Sequence, residues 1–495
     1  MKITYPCMVA LAGVALCSCS NFRKVSAIDH LKPCAAAAGP TDAYCGTFDV
    51  WEDRDAKTGR KIPIKIVVLP ALKQEYAPDP LFFLAGGPGQ GAAELAPALK
   101  DAFQRIQTDR DVVFVDQRGT GKSNPLECKS QVDEDERKSE NDISKALLDQ
   151  IPVCLAAYKD KADLTKYTTP IAMDDLDDVR QFLGYSKIDL YGGSYGTRAA
   201  IIYARRHPDS TRAVILDAVA PPGMAIPLYM ARDSQHSLDL LFDDCEKDPG
   251  CDQRFPKLRD RFKALLTRLD AHPQRIRYVD PRTGLEKDLD IRRIVVSSLL
   301  FASLYDPTVS SLVPLLIDEA DKGNFTGFLA LNAASDSIAT NMSMGMQFSV
   351  LCSEDAPRID RASIDRDSAG TFLGTAMTEL RLKACQIWPH ATMDPDYYTN
   401  KPSDVPALIL SGRLDPVTPP SWGEEIASKW KNARHVIVPA SGHGAWNHGC
   451  VMKLMSQFLN DGTAANLDTS CVDRVKRPPF FLGPSGPDPL GGLQK

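Results

Sequence analysis

One short stretch of the sequence predicts a sharp turn between a strand and a helix. The stretch "KIDLYGGSYGTRAA", residues 187–200, passes from alternating apolar residues through a glycine-rich segment into a helical pattern. Gly192, Ser194 and Gly196 fit G-x-S-x-G, in which the serine sits on a strained turn and the glycines let backbone pass close by. Because an ordinary glycine-rich turn can have the same letters, the rest of the chain must decide between the two interpretations.

Apolar runs alternate with helical patterns on both sides of this turn. The runs lie at residues 61–70, 80–89, 111–119, 187–194, 212–219, 405–416 and 433–444. Several are nearly continuous, as in strands that are buried on both faces of a parallel sheet. The alternation predicts an α/β fold, with a mostly parallel sheet and helices on both of its faces.

The alternation stops between residues 223 and 400, where long amphipathic stretches replace the strands. Because strand patterns return after this segment, we predict one core formed by 61–222 and 401–475, with a large and mainly helical cap at 223–400. A separate second domain is the alternative. The flanking segments are predicted to be an export signal at 1–19, an N-terminal extension at 20–60 and a Pro/Gly-rich tail at 476–495.

The N-terminus "MKITYPCMVALAGVALCSCS" has one lysine followed by an apolar segment of signal-peptide length, too short for a stable membrane span. Its end resembles the cleavage box of bacterial lipoproteins, with Cys17 as a departure, and this predicts lipidation of Cys19. Simple signal cleavage nearby is the alternative. We therefore expect export, either as a lipoprotein of the periplasm or outer membrane or as a secreted protein, with membrane contact only through the lipid anchor.

The cysteine count fits an exported protein. Of 13 cysteines, ten remain when Cys7, Cys17 and Cys19 are set aside, an even number that suits an oxidising compartment. Pairing neighbours in order predicts the disulfides Cys34–Cys45, Cys128–Cys154, Cys245–Cys251, Cys352–Cys385 and Cys450–Cys471, although the sequence allows many other pairings. The cysteines are scattered without a C-x-x-C pair, so we expect no metal site and no other cofactor.

Charge and motifs argue against nucleic acids and nucleotides. The chain has 58 basic and 64 acidic residues, a net charge of -6, and no basic block that could follow a phosphate backbone. The stretch "DQRGTGKS", residues 116–123, resembles a phosphate-binding loop, but Asp116 stands where that motif requires glycine. Neither kind of ligand is therefore expected.

Three residues that follow predicted strands could form a catalytic triad. Functional groups collect at the carboxyl ends of strands in open α/β sheets, and Ser194, Asp415 and His443 lie there in the chain order of α/β-hydrolases. A serine hydroxyl needs a neutral imidazole to take its proton, and the imidazole needs a carboxylate that fixes its tautomer. His448 is a rival base beyond the loop, and a turn-capping role is the alternative for Asp415.

Acyl transfer also needs donors for the oxyanion, and backbone N–H groups supply them without reorganisation. In this fold one donor belongs to the residue after the nucleophile, here Tyr195, and the other to the loop after an early strand. That loop contains "LAGGPGQG", residues 84–91. We predict Gly87 as the second donor, with Gly86 as the alternative.

Five motifs together resemble one family. They are "LAGGPGQG", "VDQRGTGKS", "GGSYGT", "SGRLDPVTPP" and "SGHG", which occur in the order and spacing of α/β-hydrolase serine peptidases related to proline iminopeptidase, especially the tripeptidyl aminopeptidase-like branch. The resemblance covers most of residues 60–460. It implies an exported serine exopeptidase that releases N-terminal residues or tripeptides from peptides with a free N-terminus. Ala85 is a departure, because many relatives carry histidine before the double glycine.

The resemblance also implies an anionic group that receives the α-ammonium of the substrate. The segment "FSVLCSEDAP" offers Glu354 and, second, Asp355, beside the predicted disulfide of Cys352. A helix or turn start capped by Ser353 is the alternative. The number of residues released per cleavage, any proline preference and the oligomeric state stay open.

Two other functions fit the same residues. A carboxylesterase could use the same triad, and a requirement for a free amine discriminates between the two enzymes. A lipoprotein that keeps the fold only for binding is the third interpretation, which the intact triad disfavours. An epoxide hydrolase or dehalogenase would have aspartate as its nucleophile, so Ser194 argues against that class.

Overall fold

The computed structural model describes residues 27–36, 39–128, 140–280, 283–331 and 342–487. The export signal predicted at 1–19, the lipidation predicted at Cys19 and the end of the predicted tail lie outside these residues. Within the described part, a nine-stranded sheet forms the centre of the molecule.

The sheet collects strands from both ends of the chain. In chain order the strands are β1 (Lys32–Pro33), β2 (Tyr44–Trp51), β3 (Lys61–Leu69), β4 (Leu81–Leu84), β5 (Val112–Val115), β6 (Ile188–Gly193), β7 (Thr211–Asp217), β8 (Gln274–Val279), β9 (Glu286–Ile291), β10 (Ala407–Gly412) and β11 (Ala433–Val438). Across the sheet the order is β1-β2-β3-β5-β4-β6-β7-β10-β11. Along this order, β5, β4, β6, β7, β10 and β11 pair in parallel, whereas β1, β2 and β3 are antiparallel to their neighbours. Strands β8 and β9 lie outside this sheet.

The mostly parallel sheet confirms the fold class that the strand patterns predict. All seven predicted runs contain a strand of this sheet. The apolar runs do not predict β1 and β2, because β1 is only two residues long and exposed, and β2 carries mostly half-exposed positions. Strands β4, β5 and β10 are buried at every residue, which explains their continuous apolar letters.

Helices cover the sheet. Those that flank it are Ala96–Gln107, Thr169–Phe182, Tyr195–Arg206, Pro420–Ala427 and Val451–Asp461, whereas Glu140–Tyr158 packs against the helix Ala376–Cys385. Between β7 and β10 lie Met230–Lys247, Pro249–Arg254, Leu258–Ala271, Arg293–Ser303, Pro307–Ser310, Val313–Asp321, Met344–Val350, Arg361–Ser368 and Ala376–Cys385. This intervening segment also contains the hairpin of β8 and β9, whose charged and largely exposed strands give little apolar signal.

The sheet and the cap, as we call the segment between β7 and β10, each have an apolar core. One cluster beside the sheet stacks Phe83 on Tyr191, with ring centroids 5.0 Å apart, and Phe103 meets both rings edge-on. The cap buries its own cluster, which includes Leu241 and Phe262. Because each fully buried side chain of this size contributes about 1.5–3 kcal/mol, the cap has a substantial core of its own.

Within the described residues, five disulfides link cysteines that follow one another along the chain. They join Cys34–Cys45, Cys128–Cys154, Cys245–Cys251, Cys352–Cys385 and Cys450–Cys471, which confirms all five predicted pairings. The Cys352–Cys385 bond connects the ends of two cap segments that line the candidate site.

In the described part of the chain, every helix is too short or too polar to cross a membrane.

Candidate active site

Ser194 lies on the turn between β6 and the helix Tyr195–Arg206. Its backbone has φ +56° and ψ -125°, a conformation with positive φ that residues other than glycine rarely adopt. A Cβ at Gly192 would come within 2.3 Å of the Gly196 carbonyl oxygen, and one at Gly196 within 2.2 Å of the Leu84 carbonyl oxygen. Both glycines are therefore required by close backbone approach, and the turn projects the serine from the sheet.

The structure brings Ser194, His443 and Asp415 together. His443 Nε2 lies 2.9 Å from Ser194 Oγ, and His443 Nδ1 lies 3.0 and 2.9 Å from the two carboxylate oxygens of Asp415. Each residue follows the carboxyl end of a strand, namely β6, β11 and β10. The hydrogen-bonded chain is the arrangement in which an imidazole can remove the serine proton.

The Asp415 carboxylate is held by its own loop. Its Oδ1 accepts the N–H groups of Val417 and Thr418, both at 2.8 Å, and its Oδ2 accepts the Thr418 hydroxyl at 2.8 Å. The side chain is almost fully buried. These donors stabilise the ionised carboxylate and fix the plane that it presents to His443.

Burial and charge act in opposite directions on the His443 imidazole. Burial alone would lower its pKa, but the charge of Asp415 and its hydrogen bond more than offset this, so the pKa lies above the ordinary value of 6.5. The backbone N–H of His443 donates to the Tyr305 carbonyl at 2.8 Å. The Tyr305 ring meets the imidazole edge-on at 5.1 Å between centroids, so a cap residue supports the base.

Asp217 supports the same histidine loop and is not among the residues predicted from the sequence. Its carboxylate accepts the N–H groups of Ala445 and Trp446 at 2.7 and 3.0 Å, and the Tyr191 hydroxyl at 3.0 Å. Burial raises its pKa to about 6. The signal available was its position at the end of β7, the strand-end location that also identified the triad.

The predicted oxyanion donors face the catalytic cavity or open the nucleophile helix. A Cβ at Gly86 would lie 3.7 Å from Ser194 Oγ, so this loop passes directly over the nucleophile. Gly86 and Gly87 both line the cavity, and Gly87 has φ +112°. Tyr195 is the first residue of its helix, where N–H groups have no partner within the helix. Among the described residues, neither the Gly87 nor the Tyr195 N–H has an acceptor.

A cavity of about 560 Å³ contains the nucleophile and the base. Its wall is mostly apolar; the larger contributing side chains are Leu95, Leu99, Met224, Ile226, Met230, Phe301, Tyr305, Met342, Leu351, Met377, Val417 and Trp446. Residues of the core and of the cap both contribute. The polar side chains on this wall include Gln347 and Arg381, which lie on two different cap helices and were not predicted from the sequence.

The structure does not bring Glu354 and Asp355 to this cavity. Both side chains are fully buried, and neither lines the cavity wall. Glu354 accepts the Thr169 N–H at 2.6 Å, the Thr169 hydroxyl at 2.9 Å and the Tyr397 hydroxyl. Because these donors already occupy the carboxylate, its predicted role as receptor of a substrate ammonium finds no support in the cavity wall.

Glu354 and Asp355 instead join the cap to the helix that follows the nucleophile. Arg198 on that helix donates to the two oxygens of Asp355 at 3.1 and 3.0 Å and lies 3.6 Å from Glu354. All three side chains are fully buried. Such a pair is costly to break, because removal of one partner leaves a buried charge uncompensated.

His448, the rival base, does not line the cavity, and burial lowers its pKa. No group of three or more possible metal ligands occurs within the described residues. Ser194, His443 and Asp415 are therefore the residues with catalytic geometry in the part of the chain that the structure describes.

Comparison with known proteins agrees with this architecture. The family model described as alpha/beta hydrolase fold matches residues 79–271, and the model described as TAP-like protein matches residues 370–471. Serine protease Hip1 of Mycobacterium tuberculosis is 26% identical over 469 residues, which cover 87% of this chain and 88% of that protein. Tripeptidyl aminopeptidase of Streptomyces coelicolor is 22% identical over 426 residues, which cover 79% of this chain and 76% of that protein.

Solved structures that resemble this one include the crystal structure of proline iminopeptidase from Mycobacterium smegmatis. Its TM-score is 0.40 at 14% sequence identity, and the match covers 84% of this chain and 98% of that one. The sheet and the family match over residues 79–271 show that the chain has the α/β-hydrolase fold. Its C-terminal part is similar to TAP-like proteins, and most of the chain is similar to proteins named serine protease and tripeptidyl aminopeptidase, the group that its motifs resemble.

Proposed function

We propose that the chain is a serine exopeptidase that removes residues or tripeptides from the free N-terminus of peptides. The observation that carries the proposal is the hydrogen-bonded chain from Ser194 through His443 to Asp415. In the proposed first step, His443 Nε2 takes the hydroxyl proton while Ser194 Oγ forms a bond to the substrate carbonyl carbon. The carbonyl electron pair moves onto oxygen, where the N–H groups of Gly87 and Tyr195 stabilise the negative charge.

The tetrahedral intermediate then collapses. His443 gives the proton to the leaving amine, the C–N bond breaks and an ester to Ser194 remains. Water hydrolyses this ester in the same way, with His443 again as base and then as acid. The raised pKa of His443 suits both roles, because the imidazole must accept a proton and release it in each half of the cycle.

The peptide substrate is supported by relatives and by the cavity. The similar proteins bear the names serine protease and tripeptidyl aminopeptidase. A cavity of about 560 Å³ lies in the range that holds ligands of drug size, and cap residues such as Phe301 and Met377 line it. A short fragment of a peptide fits this volume, which favours removal of terminal residues over cleavage within a folded protein.

A carboxylesterase is the second candidate, and one observation favours it. Among the described residues on the cavity wall, Asp217 is the only acidic one. Its carboxylate is already occupied by three hydrogen-bond donors. A substrate ammonium would therefore find no free carboxylate on this wall, whereas an ester without an amine needs none.

Hydrolysis of matched substrates by the purified protein tests the proposal. The series should contain alanyl, prolyl and tripeptidyl anilides, each with a free and an acetylated N-terminus, together with the corresponding esters. We expect cleavage of free-amine anilides, and Ser194→Ala should remove it. Rapid cleavage of esters with no anilide turnover would instead identify an esterase.

Glu354→Gln is the companion variant for the question of amine recognition. If Glu354 received the substrate ammonium, the variant would lose activity on free-amine substrates and keep it on acetylated ones. Because the carboxylate is buried and occupied, we expect the ratio of the two activities to stay within about threefold of the parent value.

We also propose export to an oxidising compartment. The support is the five disulfides, because such bonds persist outside the reducing cytosol. Mass spectrometry of the mature N-terminus tests whether Cys19 is the lipidated first residue. An unmodified N-terminus at another position would contradict the lipidation.

A further inference from the structure

A lone cation lies on the wall of the catalytic cavity. Arg381 is the only arginine or lysine among the described residues that line it. Its one hydrogen bond to a described residue runs from Nη1 to Gln347 Oε1, at 2.7 Å. Described carboxylates make no ion pair with it, although most cap arginines nearby, such as Arg361 and Arg366, have acidic partners.

A guanidinium in such surroundings is costly. The cavity wall is mostly apolar, and burial lowers the pKa of Arg381, with the neighbouring Tyr305 hydroxyl as the one group that acts in the opposite direction. Arg381 is partly buried, and a charge withdrawn from water without a counter-ion is destabilising, so such cations are usually paired. The few polar groups in an otherwise apolar pocket generally fix the orientation of a ligand.

The side chain of Arg381 is held in place by its helix, by Gln347 and by a nearby disulfide. It lies on the helix Ala376–Cys385 together with Met377, four residues earlier, and both side chains line the cavity. Gln347 lies on the helix Met344–Val350, and the Cys352–Cys385 disulfide joins the segments in which these two helices end. The hydrogen bond and the disulfide together hold the guanidinium toward one region of the wall.

The same region adjoins the catalytic base. The Tyr305 hydroxyl is close enough to Arg381 to act on its pKa, and the Tyr305 ring contacts the His443 imidazole at 5.1 Å between centroids. Arg381 and the catalytic residues therefore line one cavity, with Tyr305 next to both Arg381 and His443. The partner that a guanidinium binds best is a carboxylate, with which it forms charge-assisted and often bidentate hydrogen bonds.

We propose that Arg381, supported by Gln347, is a specificity-determining residue that binds a carboxylate of the peptide substrate. This inference rests on the proposed function and deepens it, because it names the substrate class of the same site. The carboxylate has two sources: an acidic side chain on the acyl fragment, or the C-terminal carboxylate of a short leaving fragment.

Paired substrates distinguish the two sources. For the acyl side, kcat/KM is compared for anilides whose residue at the scissile bond is glutamate or glutamine. For the leaving side, short peptides that end in a carboxylate are compared with the same peptides as carboxamides. We expect one pair to favour the carboxylate by about 10- to 100-fold, the range expected for a hydrogen bond to a charged group.

Arg381→Gln should remove this preference, so that kcat/KM becomes equal within about threefold for the two members of each pair. Lys383→Gln is the matched control, because it removes one positive charge from the exposed side of the same helix and should leave the preference intact. The melting temperature of each variant verifies that it is folded. Equal activity on both members of each pair, or a preference that survives in Arg381→Gln, would overturn the inference.

A binding measurement separates this inference from the proposed peptidase activity. In the Ser194→Ala protein, N-acetylglutamate and the dipeptide Ala-Ala represent the two carboxylate sources, with N-acetylglutamine and Ala-Ala amide as neutral partners. We expect one carboxylate to raise the melting temperature more than its neutral partner, and Arg381→Gln to abolish the difference. If no peptide is hydrolysed but this difference is found, the peptidase proposal fails and the carboxylate site stands; no difference refutes the site.

Discussion

Replacement of Asp415 by asparagine tests the proposed triad most sharply, because it exchanges one oxygen for an NH₂ group and leaves the shape unchanged. Asp415 Oδ1 accepts two backbone N–H groups, from Val417 and Thr418, and Oδ2 accepts a hydroxyl. Both backbone donors need an acceptor, so the asparagine oxygen will occupy the Oδ1 position. Its NH₂ group then takes the Oδ2 position, 2.9 Å from His443 Nδ1 in the parent protein.

The exchange reverses the tautomer of His443. An NH₂ group donates to Nδ1, so the ring proton moves to Nε2, the atom that lies 2.9 Å from Ser194 Oγ. An imidazole protonated at Nε2 cannot accept the serine proton. Loss of this tautomer costs about 10⁴-fold in kcat, equivalent to about 5 kcal/mol in the barrier. Stability should change little, because the Thr418 hydroxyl can rotate to accept from the new NH₂ group.

The assay is hydrolysis of a p-nitrophenyl ester at saturating concentration, since the triad acts on esters and amides alike. Thr418→Val is the control: it removes the hydroxyl that donates to the carboxylate at 2.8 Å and lies 3.3 Å from His443 Nδ1, but it keeps the charge and the tautomer. We expect this variant to lose no more than about tenfold, in line with one hydrogen bond. The reasoning is refuted if Asp415→Asn retains more than a tenth of the parent kcat, or if both variants lose activity equally.

Two further predictions concern pH and stability. The pKa of His443 lies above 6.5, and only the neutral imidazole is a base. The pH profile of kcat/KM should therefore fall on the acidic side with a midpoint above 6.5. A midpoint below 6.5 would contradict the role of Asp415. The double variant Cys352→Ser and Cys385→Ser opens a link between residues 33 apart and should lower the free energy of unfolding by about 3–4 kcal/mol in urea titrations, whereas an unchanged midpoint would refute a stabilising role.

The strands of the sheet were predictable where burial on both faces requires a continuous run of apolar residues. Strands β4, β5 and β10 are buried on both faces and consist almost entirely of apolar residues. The hairpin of β8 and β9 could not be predicted in this way, because its strands are rich in charged residues that pair across the hairpin, as Arg275 and Arg277 do with Asp288.

The candidate triad was predictable because its signals are local: each residue follows a strand, and glycines mark the close backbone approaches around Ser194. Arg381 was not predictable, since most helical arginines face solvent and only the tertiary arrangement turns this one into the cavity. Glu354 presents the opposite case. The sequence around Glu354 suggests a carboxylate that is free to bind substrate. In the structure Arg198 lies 3.6 Å from this carboxylate and the Thr169 N–H donates to it, although both residues are distant in the chain.

The order of the sheet has a consequence for the timing of activity during synthesis. Ser194 follows β6, which lies in the first half of the chain, whereas Asp415 and His443 follow β10 and β11, which complete one edge of the sheet beside β7. N-terminal parts of a chain emerge first from the ribosome. A nascent chain, or a fragment that ends before residue 443, therefore carries the nucleophile without its base, and hydrolytic power arises only when the last strands dock.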